Sequence, residues 1–343
     1  MNFIAGAISA AERAPLPDGL TRAGIGWLVA RSRRRLAASS PGDGRFAGQM
    51  AARHIAEYAR EANAQHYELP ATFFALTLGP RRKYSCCLYD DGARDLAEAE
   101  LAALETTVRR ADLRDGQRIL ELGCGWGSLS LFMAERYPRA RILAVSNSAS
   151  QRAFIEDEAA RRNLANLQAV TADMNDFSTS EQFDRVISVE MFEHMANWRA
   201  LLTRVRSWLA PNGALFLHVF THRTGSYRFD HTDHSDWIGR HFFTGGLMPS
   251  HGLIRQFPDL LAVEQEWRWS GVNYQRKALD WLANFDARRD AIDAILRDVY
   301  GARAGLWRRR WRLFFLATAG LFGDQAGAEW GVSHYRLRPS PDG

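Results

Sequence analysis

The stretch ILELGCGWGSLSL, Ile119 to Leu131, joins an apolar run to a turn that contains three alternating glycines. Glycine turns between a strand and a helix let the backbone approach a bound nucleotide closely, because glycine has no side chain. A dinucleotide fingerprint reads G-x-G-x-x-G and has an acidic residue about twenty positions later. Here Ser128 takes the third glycine position and the next strand ends AVSNS without an acid, so nicotinamide binding is disfavoured. A tight turn without a ligand is the alternative interpretation.

The chain around this turn alternates strand-like and helix-like segments from Asp112 to Phe220. Apolar runs such as RILAVS and FDRVISVE are followed by amphipathic stretches such as SQRAFIEDEAARRN and NWRALLTRVRSWLA. This alternation predicts an α/β fold with a parallel sheet and helices on both faces. Ligands of such sheets bind at the carboxyl ends of the strands, which is where the glycine turn lies.

Three regions are predicted along the chain. Residues 1–65 form a helical N-terminal cap, since GWLVARSRRRL and AARHIAEYAREA place apolar residues at helical intervals around a polar break at 39–44. Residues 66–220 form the core with its preceding segment. Residues 221–343 supply an inserted lid of substrate-facing helices and a final strand, WGVSHYRLRP, which completes the core as an edge strand.

Composition and charge narrow the kind of protein. The 343 residues are 46% apolar and carry a formal net charge of +5, which fits a globular chain. Two basic clusters, RSRRRL at 31–36 and WRRRWR at 307–312, suit phosphate or anionic lipid headgroups, or else form a solvated helix face. Nucleic acid is disfavoured as a partner because no aromatic and basic interleaving accompanies the first cluster.

The cysteines and the apolar runs favour the cytoplasm. Three cysteines, two of them adjacent, give no disulfide framework. The first seventeen residues lack the pattern of a signal peptide. The longest apolar run, 313–323, is shorter than a bilayer requires and predicts a buried helix.

Segments along most of the chain resemble one enzyme family. ELGCGWG resembles the first motif of the Rossmann-like class I S-adenosylmethionine (SAM) methyltransferases, with Glu121 near the ammonium of the cofactor. The second strand ends in Ser146 and Asn147 instead of an acid, and this resembles the cyclopropane fatty acid synthase family, which includes the coclaurine N-methyltransferases. The other segments that match in order are HYELPATFFALTLGPRRKYSCCLY, VEMFEHMANW, LFLHVFTH, HFFTGGLMPS, SGVNYQRKALDWL and GAEWGVSHYRL.

The resemblance implies SAM as the cofactor and a set of residues around it. Met174 and Asn175 follow Asp173 in TADMND, where the family holds the adenine. The full set of cofactor-binding residues that the resemblance implies is Tyr84, Ser85, Gly123, Gly125, Ser146, Gln151, Met174 and Asn175.

Two branches of the family differ at one position of this sequence. The branch that methylates acyl chains holds a bicarbonate ion, and the matching residues here are Cys86, Glu193, His218 and Tyr274. The N-methyltransferases keep the same residue types, so these four do not separate the branches. Acyl-methylating relatives usually have glycine where this chain has Glu190, whereas the N-methyltransferases have glutamate.

The chemistry of methyl transfer favours the same cluster of residues. An amine acceptor must present a neutral lone pair, so a carboxylate or imidazole should take its proton. Glu190, Glu193 and His194 follow the strand FDRVIS at spacings that would place them on one helix face. Paired carboxylates favour an ammonium ligand and raise one another's pKa. Acids that merely stabilise a helix N-terminus are the alternative.

Two acceptors remain open at this point. One is a small aromatic or apolar amine. The other is an unsaturated acyl phospholipid, with bicarbonate as the base and the basic clusters in peripheral contact with a membrane. A carboxylate in an acyl tunnel is costly, so Glu190 favours the amine. A protein that binds the cofactor as a sensor, without catalysis, is an alternative hypothesis. The intact cluster of acids and histidine argues against it.

The remaining candidates concern the substrate lid. Aromatic residues that could wall the substrate are Trp237, Phe242, Phe243 and Trp330, with Glu329 at the end of the pocket. No metal is expected, because the spacing of His222, His231, His234, Asp230 and Asp233 is loose and methyl transfer needs none. The sequence leaves the oligomeric state open, including the homodimer that the resemblance allows.

Overall fold

The computed structural model describes residues 3–14, 16–58, 69–90 and 92–340. The helices within these ranges are α1 (Phe3–Arg13), α2 (Asp18–Ser39), α3 (Asp43–Met50), α4 (Ala71–Thr77), α5 (Leu96–Arg110), α6 (Ser128–Arg136), α7 (Ala149–Arg161), α8 (Trp198–Trp208), α9 (Trp237–His241), α10 (Gly271–Ala287), α11 (Arg289–Tyr300) and α12 (Ala304–Phe322). The strands are β1 (Arg118–Leu122), β2 (Arg141–Ser146), β3 (Leu167–Thr171), β4 (Phe183–Val189), β5 (Leu209–His222), β6 (Tyr227–Arg228), β7 (Leu247–Met248), β8 (Leu261–Ser270) and β9 (Trp330–Pro339).

Seven of the described strands form one mixed sheet in the order β3-β2-β1-β4-β5-β9-β8. The first five are parallel, as the alternation of strands and helices predicts, and β9 is antiparallel to both of its neighbours. The α/β fold is therefore confirmed. The reversal of strand order between β2-β1 and β4 opens a crevice at the carboxyl edge, and the glycine turn after β1 lies there.

The prediction that WGVSHYRLRP forms an edge strand is wrong. Strand β9 lies between β5 and β8, and β8 is the edge. Polar residues in β9 suggested an exposed strand, but two of them have partners within the fold. Ser333 Oγ lies 2.7 Å from Thr221 Oγ, and His334 Nδ1 lies 2.8 Å from Arg110 Nη1.

The N-terminal region contains α1 to α3, and the predicted polar break separates α2 from α3. Residues 51–58, predicted as helix, are instead turns, bends and a β-bridge between Ala56 and Met195. Backbone groups of this segment bond to residues of the core: Asn197 Nδ2 donates to Arg53 O at 2.8 Å. These long-range bonds replace the helical ones, and residues 59–62 of the expected helix lie outside the described residues.

The arginines of the basic cluster at 307–312 make contacts within the protein. Arg310 Nε donates to Glu12 Oε1 at 2.6 Å, and Arg309 Nε donates to Glu12 O at 2.7 Å. Arg312 bonds to the carboxylates of Asp18 and Asp286. Within the described ranges, no helix combines the length and apolar character needed to cross a membrane.

Candidate active site

Two adjoining cavities lie at the carboxyl edge of the sheet. The larger has a volume of about 930 Å³ and the smaller about 90 Å³. Gly123, Gly125, Glu190 and His194 line both cavities. These four residues therefore mark the junction of the two compartments, where a donor in one would meet an acceptor in the other.

The glycine turn fits a ligand at this junction. A Cβ on Gly123 would lie 2.6 Å from Cβ of Met191, and the φ of Gly123 is +81°, so a side chain has no room there. Gly125, with φ +53°, faces space in which a Cβ would meet no atom within 4 Å. The turn thus leaves an open backbone cradle that a cofactor can approach closely.

The smaller cavity contains an unused hydrogen-bond donor. Gln151 lines it and is 1% exposed, yet its Nε2 has no partner among the described residues. Its Oε1 accepts a bond from Ser146 Oγ at 2.7 Å, and Ser146 Oγ in turn accepts from the amide of Ser148. Ser146 therefore orients Gln151, whose free amide group fits a polar part of the cofactor.

The adenine-side candidates have different positions. Met174 lines the smaller cavity together with Asp173. The side chain of Asn175 instead bonds to the backbone of Ala56, accepting from its N–H and donating to its C=O at 3.0 Å each. Asn175 does not line either cavity, and it holds in place the segment of which Ala56 and Glu57 line the smaller cavity.

Tyr84, Ser85 and Glu121 line the larger cavity beside the glycine turn. Tyr84 stacks on Trp281 with ring centroids 5.3 Å apart, and Ser85 Oγ accepts a bond from Lys83 Nζ. Burial raises the pKa of Glu121 to about 7, although a hydrogen bond from Ser130 opposes that shift. A carboxyl group of this kind is suited to receive a positively charged ligand group, which would ionise it.

Glu190 is the centre of the catalytic candidates. Its Oε1 accepts bonds from Cys86 N at 2.8 Å and His218 Nε2 at 3.1 Å, and its Oε2 accepts from Tyr274 OH at 2.8 Å. Its backbone has φ +50°, a left-handed conformation that is rare for a residue with a side chain. Strain of this kind at a buried polar centre is typical of functional sites.

The predicted shared helix face is wrong, because only Phe192–His194 form a short 3₁₀ turn and Glu190 precedes it with φ +50°. The two carboxyl groups also differ in ionisation, whereas the sequence predicted a mutual rise in pKa. Burial opposes ionisation of Glu190, but the hydrogen bond from His218 and the charge of Lys277 outweigh it and lower its pKa to about 2. Burial and the charge of Glu190 raise the pKa of Glu193 well above its usual range.

Glu193 lies behind the junction and does not line either cavity. Its Oε1 accepts a bond from Phe220 N at 2.6 Å, while Oε2 has no partner among the described residues. The raised pKa favours the protonated form of Glu193, which reduces the repulsion between this carboxyl group and Glu190.

The two histidines of the candidate set are both uncharged near neutral pH. Burial lowers the pKa of His194 and of His218 to about 4 in each case. His218 Nε2 faces the ionised Glu190, so this nitrogen carries the proton and donates. His194 lines both cavities, so its neutral imidazole is placed to accept a proton from a ligand.

The donors expected to hold bicarbonate surround a side chain instead. Cys86 contributes its backbone N–H, while burial raises the pKa of its thiol well above the usual range. His218 and Tyr274 direct their donors to the same carboxylate, that of Glu190. Three of the four residues predicted to hold bicarbonate thus donate hydrogen bonds to the Glu190 carboxylate, and the fourth, Glu193, lies beside them.

The walls of the larger cavity are mainly aromatic and aliphatic. Trp237 and Phe243 line it as expected, but Phe242 and Trp330 are packed in the core away from it. Glu329 also lies outside the lining and faces His222 Nε2 at 3.5 Å. Among the described residues, no group of three or more histidine, cysteine or acidic side chains could hold a metal ion.

Sequence reasoning missed Lys277 and Lys83, which both act on Glu190. Lys277 is fully buried in α10, and its Nζ lies 4.1 Å from the ring centre of Tyr274 and 3.7 Å from that of Trp281. The spacing of these residues along α10 offered a signal, because positions 274, 277 and 281 share a helix face. A lysine on that apolar face predicts a buried cation.

The fold and the site define a SAM-dependent methyltransferase of the Rossmann-like class I type. A family model described as mycolic acid cyclopropane synthetase matches residues 54–326. The chain belongs to this cyclopropane synthase family.

Comparison with individual proteins identifies relatives in both branches. The (S)-coclaurine N-methyltransferase of Thalictrum flavum subsp. glaucum is 36% identical over 285 residues, which cover 82% of this chain and 79% of that protein. The cyclopropane-fatty-acyl-phospholipid synthase of Escherichia coli K12 is 30% identical over 260 residues, covering 75% and 63%. The crystal structure of coclaurine N-methyltransferase bound to N-methylheliamine and SAH has a TM-score of 0.90 at 32% identity and covers 97% of this chain and 99% of that one.

Proposed function

We propose that the protein transfers a methyl group from SAM to the nitrogen of a small aromatic or apolar amine. The observation that carries this proposal is the position of the ionised Glu190 at the junction of the two cavities, beside the neutral His194. The likeness to coclaurine N-methyltransferases supports the same acceptor chemistry.

Each residue at the junction has a defined task in this proposal. When bound, SAM supplies an electrophilic methyl group on a sulfonium. The carboxylate of Glu190 binds the ammonium form of the acceptor and fixes its orientation, which brings the nitrogen into line with the methyl group. Positive charge moves onto that nitrogen during transfer, so a fixed anion beside it stabilises the transition state.

The acceptor must lose a proton before its lone pair can attack. His194 is the base in this proposal, because its uncharged imidazole lines both compartments and the charge of Glu190, which opposes the effect of burial, stabilises the imidazolium that forms. Burial of the acceptor in the mainly apolar cavity lowers the pKa of its ammonium group and assists the transfer. Glu193 accepts a hydrogen bond from the backbone of Phe220 and so supports the strand that carries His218.

Bicarbonate-assisted methylation of an acyl chain is the rival function. It needs a free set of donors for the ion, and those of Cys86, His218 and Tyr274 are directed at Glu190. It also needs contact with a membrane, whereas the arginines of 307–312 are engaged in internal bonds. We therefore propose no bicarbonate cofactor. A reducing cytoplasm remains the proposed location, since the three cysteines are buried free thiols.

Methyl transfer from radiolabelled SAM tests the acceptor. Purified protein is offered benzylisoquinoline and phenethyl amines beside vesicles of unsaturated phospholipid. We expect label in an amine, and Glu190→Gln should reduce kcat by about a hundredfold or more while SAH affinity stays within about twofold. Glu329→Gln, which changes a carboxylate outside the cavity, is the control and should keep full activity. Label in the lipid, or an active Glu190→Gln variant, would overturn the proposal.

A further inference from the structure

One buried cation near the junction, Lys277, has no role in the proposed methyl transfer. Lys277 is 0% exposed, and its Nζ has no hydrogen-bond partner among the described residues. Its ammonium lies against the faces of Tyr274 and Trp281 instead. Burying an ammonium without hydrogen bonds is costly, so such a group persists where its charge is used.

The two rings beneath Lys277 contact different parts of the proposed site, one on the acceptor side and one beside the glycine turn. Tyr274 donates its hydroxyl proton to Glu190 Oε2 at 2.8 Å, on the acceptor side. Trp281 stacks on Tyr84, which lines the cavity beside the glycine turn. Lys277 does not itself line either cavity, so it meets no ligand directly.

The charged and titratable neighbours of Lys277 come from several elements. They are Glu190, the thiols of Cys86 and Cys87, and Lys83. The titratable groups that interact with Glu190 are His194, His218, Tyr274, Lys277, Lys83, Glu193 and the thiols of Cys86 and Cys87. Because both thiols are buried with raised pKa values, the anion that faces Lys277 is Glu190.

We propose that Lys277 is a positioning residue that keeps Glu190 ionised from behind, through its charge and through the ring of Tyr274 on which it rests. The ring of Tyr274 lies between the Lys277 ammonium and the Glu190 carboxylate and contacts both. The positive charge of the ammonium stabilises the ionised form of Glu190. Lys277 thus leaves the open side of the carboxylate at the junction to the acceptor.

This assignment rests on the proposed role of Glu190 as the fixed anion. Burial alone would protonate Glu190, and a protonated carboxyl group neither holds an ammonium nor stabilises charge arriving on nitrogen. His218 is neutral near neutral pH, so its hydrogen bond orients the carboxylate without adding a full charge. Lys277 and Lys83 supply the positive charge that the buried anion requires.

Carbon-13 NMR of protein labelled at the glutamate carboxyl carbon measures the ionisation of Glu190 without any substrate. The Glu190 resonance is the one absent from the spectrum of Glu190→Gln. We expect it to hold the carboxylate position in the wild type from about pH 8 down to about pH 4. In Lys277→Met the midpoint, which is about 2 in the wild type, should rise by about 2 to 3 units, so the resonance should move toward the protonated position near the acid end of that range.

Arg276→Met is the matched control, since Arg276 is the adjacent cation in α10 and lies 4.2 Å from the ring centre of Tyr89, away from Glu190. Its Glu190 resonance should behave as in the wild type. Lys277→Gln is a second uncharged variant should Lys277→Met fail to fold. A Glu190 resonance that stays ionised over the same range in both variants would overturn the assignment. Failure of the amine proposal would appear separately, as absence of label in amines.

Discussion

Glu121 is a buried carboxyl group whose pKa, raised to about 7 by burial, lies near neutral pH. It lines the larger cavity beside Gly123 and Gly125. If the ammonium of the cofactor is received here, binding selects the ionised form of Glu121, and the proton is released on binding.

The affinity for SAH should therefore depend on pH. Below about pH 7 the protonated Glu121 must first lose its proton, so the affinity should fall by up to about tenfold per pH unit. Above pH 7 this contribution should level off. Calorimetric titration of SAH between about pH 6 and pH 8 measures the slope, which Glu121→Gln should lose. Glu105→Gln, on the exposed surface, should retain it, and an unchanged slope in Glu121→Gln would remove Glu121 from the ammonium site.

The segment Ala51–Tyr58 is the element that covers the smaller cavity. Ala56 and Glu57 line that cavity, and Asn175 holds Ala56 through two hydrogen bonds. Asn197 holds the same segment at Ala51 and Arg53. Side-chain amides from the core thus fix a stretch that has no regular secondary structure of its own.

Replacing Asn175 should accelerate release of the cofactor. Asn175→Ala removes two hydrogen bonds worth about 1 kcal/mol each, so the dissociation rate of SAH should rise about tenfold or more. Stopped-flow fluorescence measures that rate. Asn166→Ala is a matched control, because Asn166 also makes two bonds to backbone, those of Ala134 and Tyr137, away from both cavities. An equal rise in both variants would contradict the role of the covering segment.

The elements that the sequence predicted are those with local signals. Each strand and helix around the glycine turn has its own pattern of apolar residues, so the alternation of strands and helices could be predicted locally. The structure confirms this alternation. The position of β9 depends on pairing with β5 and β8, which no local pattern encodes. Residues 51–58 have a helical pattern of apolar side chains, but contacts with Asn175 and Asn197 override it.

In the candidate site, too, local sequence patterns identified residues, whereas long-range contacts determined properties that the sequence did not predict. The residues of the junction could be named from the sequence, since they fall in motifs directly after β1 and β4. Their chemistry could not, because the opposite ionisation of Glu190 and Glu193 depends on groups that converge from distant parts of the chain. The helical spacing of 190, 193 and 194 was misleading, since the chain turns sharply at Glu190.

At the scale of the whole molecule, Glu12 connects α1 to α9 and to α12. It is 8% exposed, and its Oε1 accepts bonds from Trp237 Nε1 at 3.0 Å and from Arg310 Nε at 2.6 Å. Trp237 is part of the cavity wall. A residue near one end of the described chain therefore fixes a wall of the substrate cavity.

Removing this carboxylate should loosen the wall without touching the reacting groups. For Glu12→Ala we expect KM for the amine to rise about tenfold or more, as the loss of roughly one hydrogen bond to a charged group implies, while kcat and SAH affinity stay unchanged. Steady-state kinetics measures KM and kcat separately, and calorimetric titration measures the affinity for SAH. Glu264→Gln, which changes a carboxylate held by Arg336 and Arg338 at the sheet edge, should leave all three constants alone. An equal loss of kcat in Glu12→Ala would mean that Glu12 supports the chemistry itself.

The backbone of Glu190 bears on how the two branches of the family diverged. Its φ of +50° is a conformation that glycine adopts without strain, and the family resemblance implies that acyl-methylating relatives usually have glycine at this position. One base change converts a glutamate codon into a glycine codon. That change would relieve the strain and leave Cys86 N, His218 Nε2 and Tyr274 OH around an empty space the size of a carboxylate. In evolutionary terms, a bound ion and a built-in side chain are alternative occupants of one nest, separated by a single mutation.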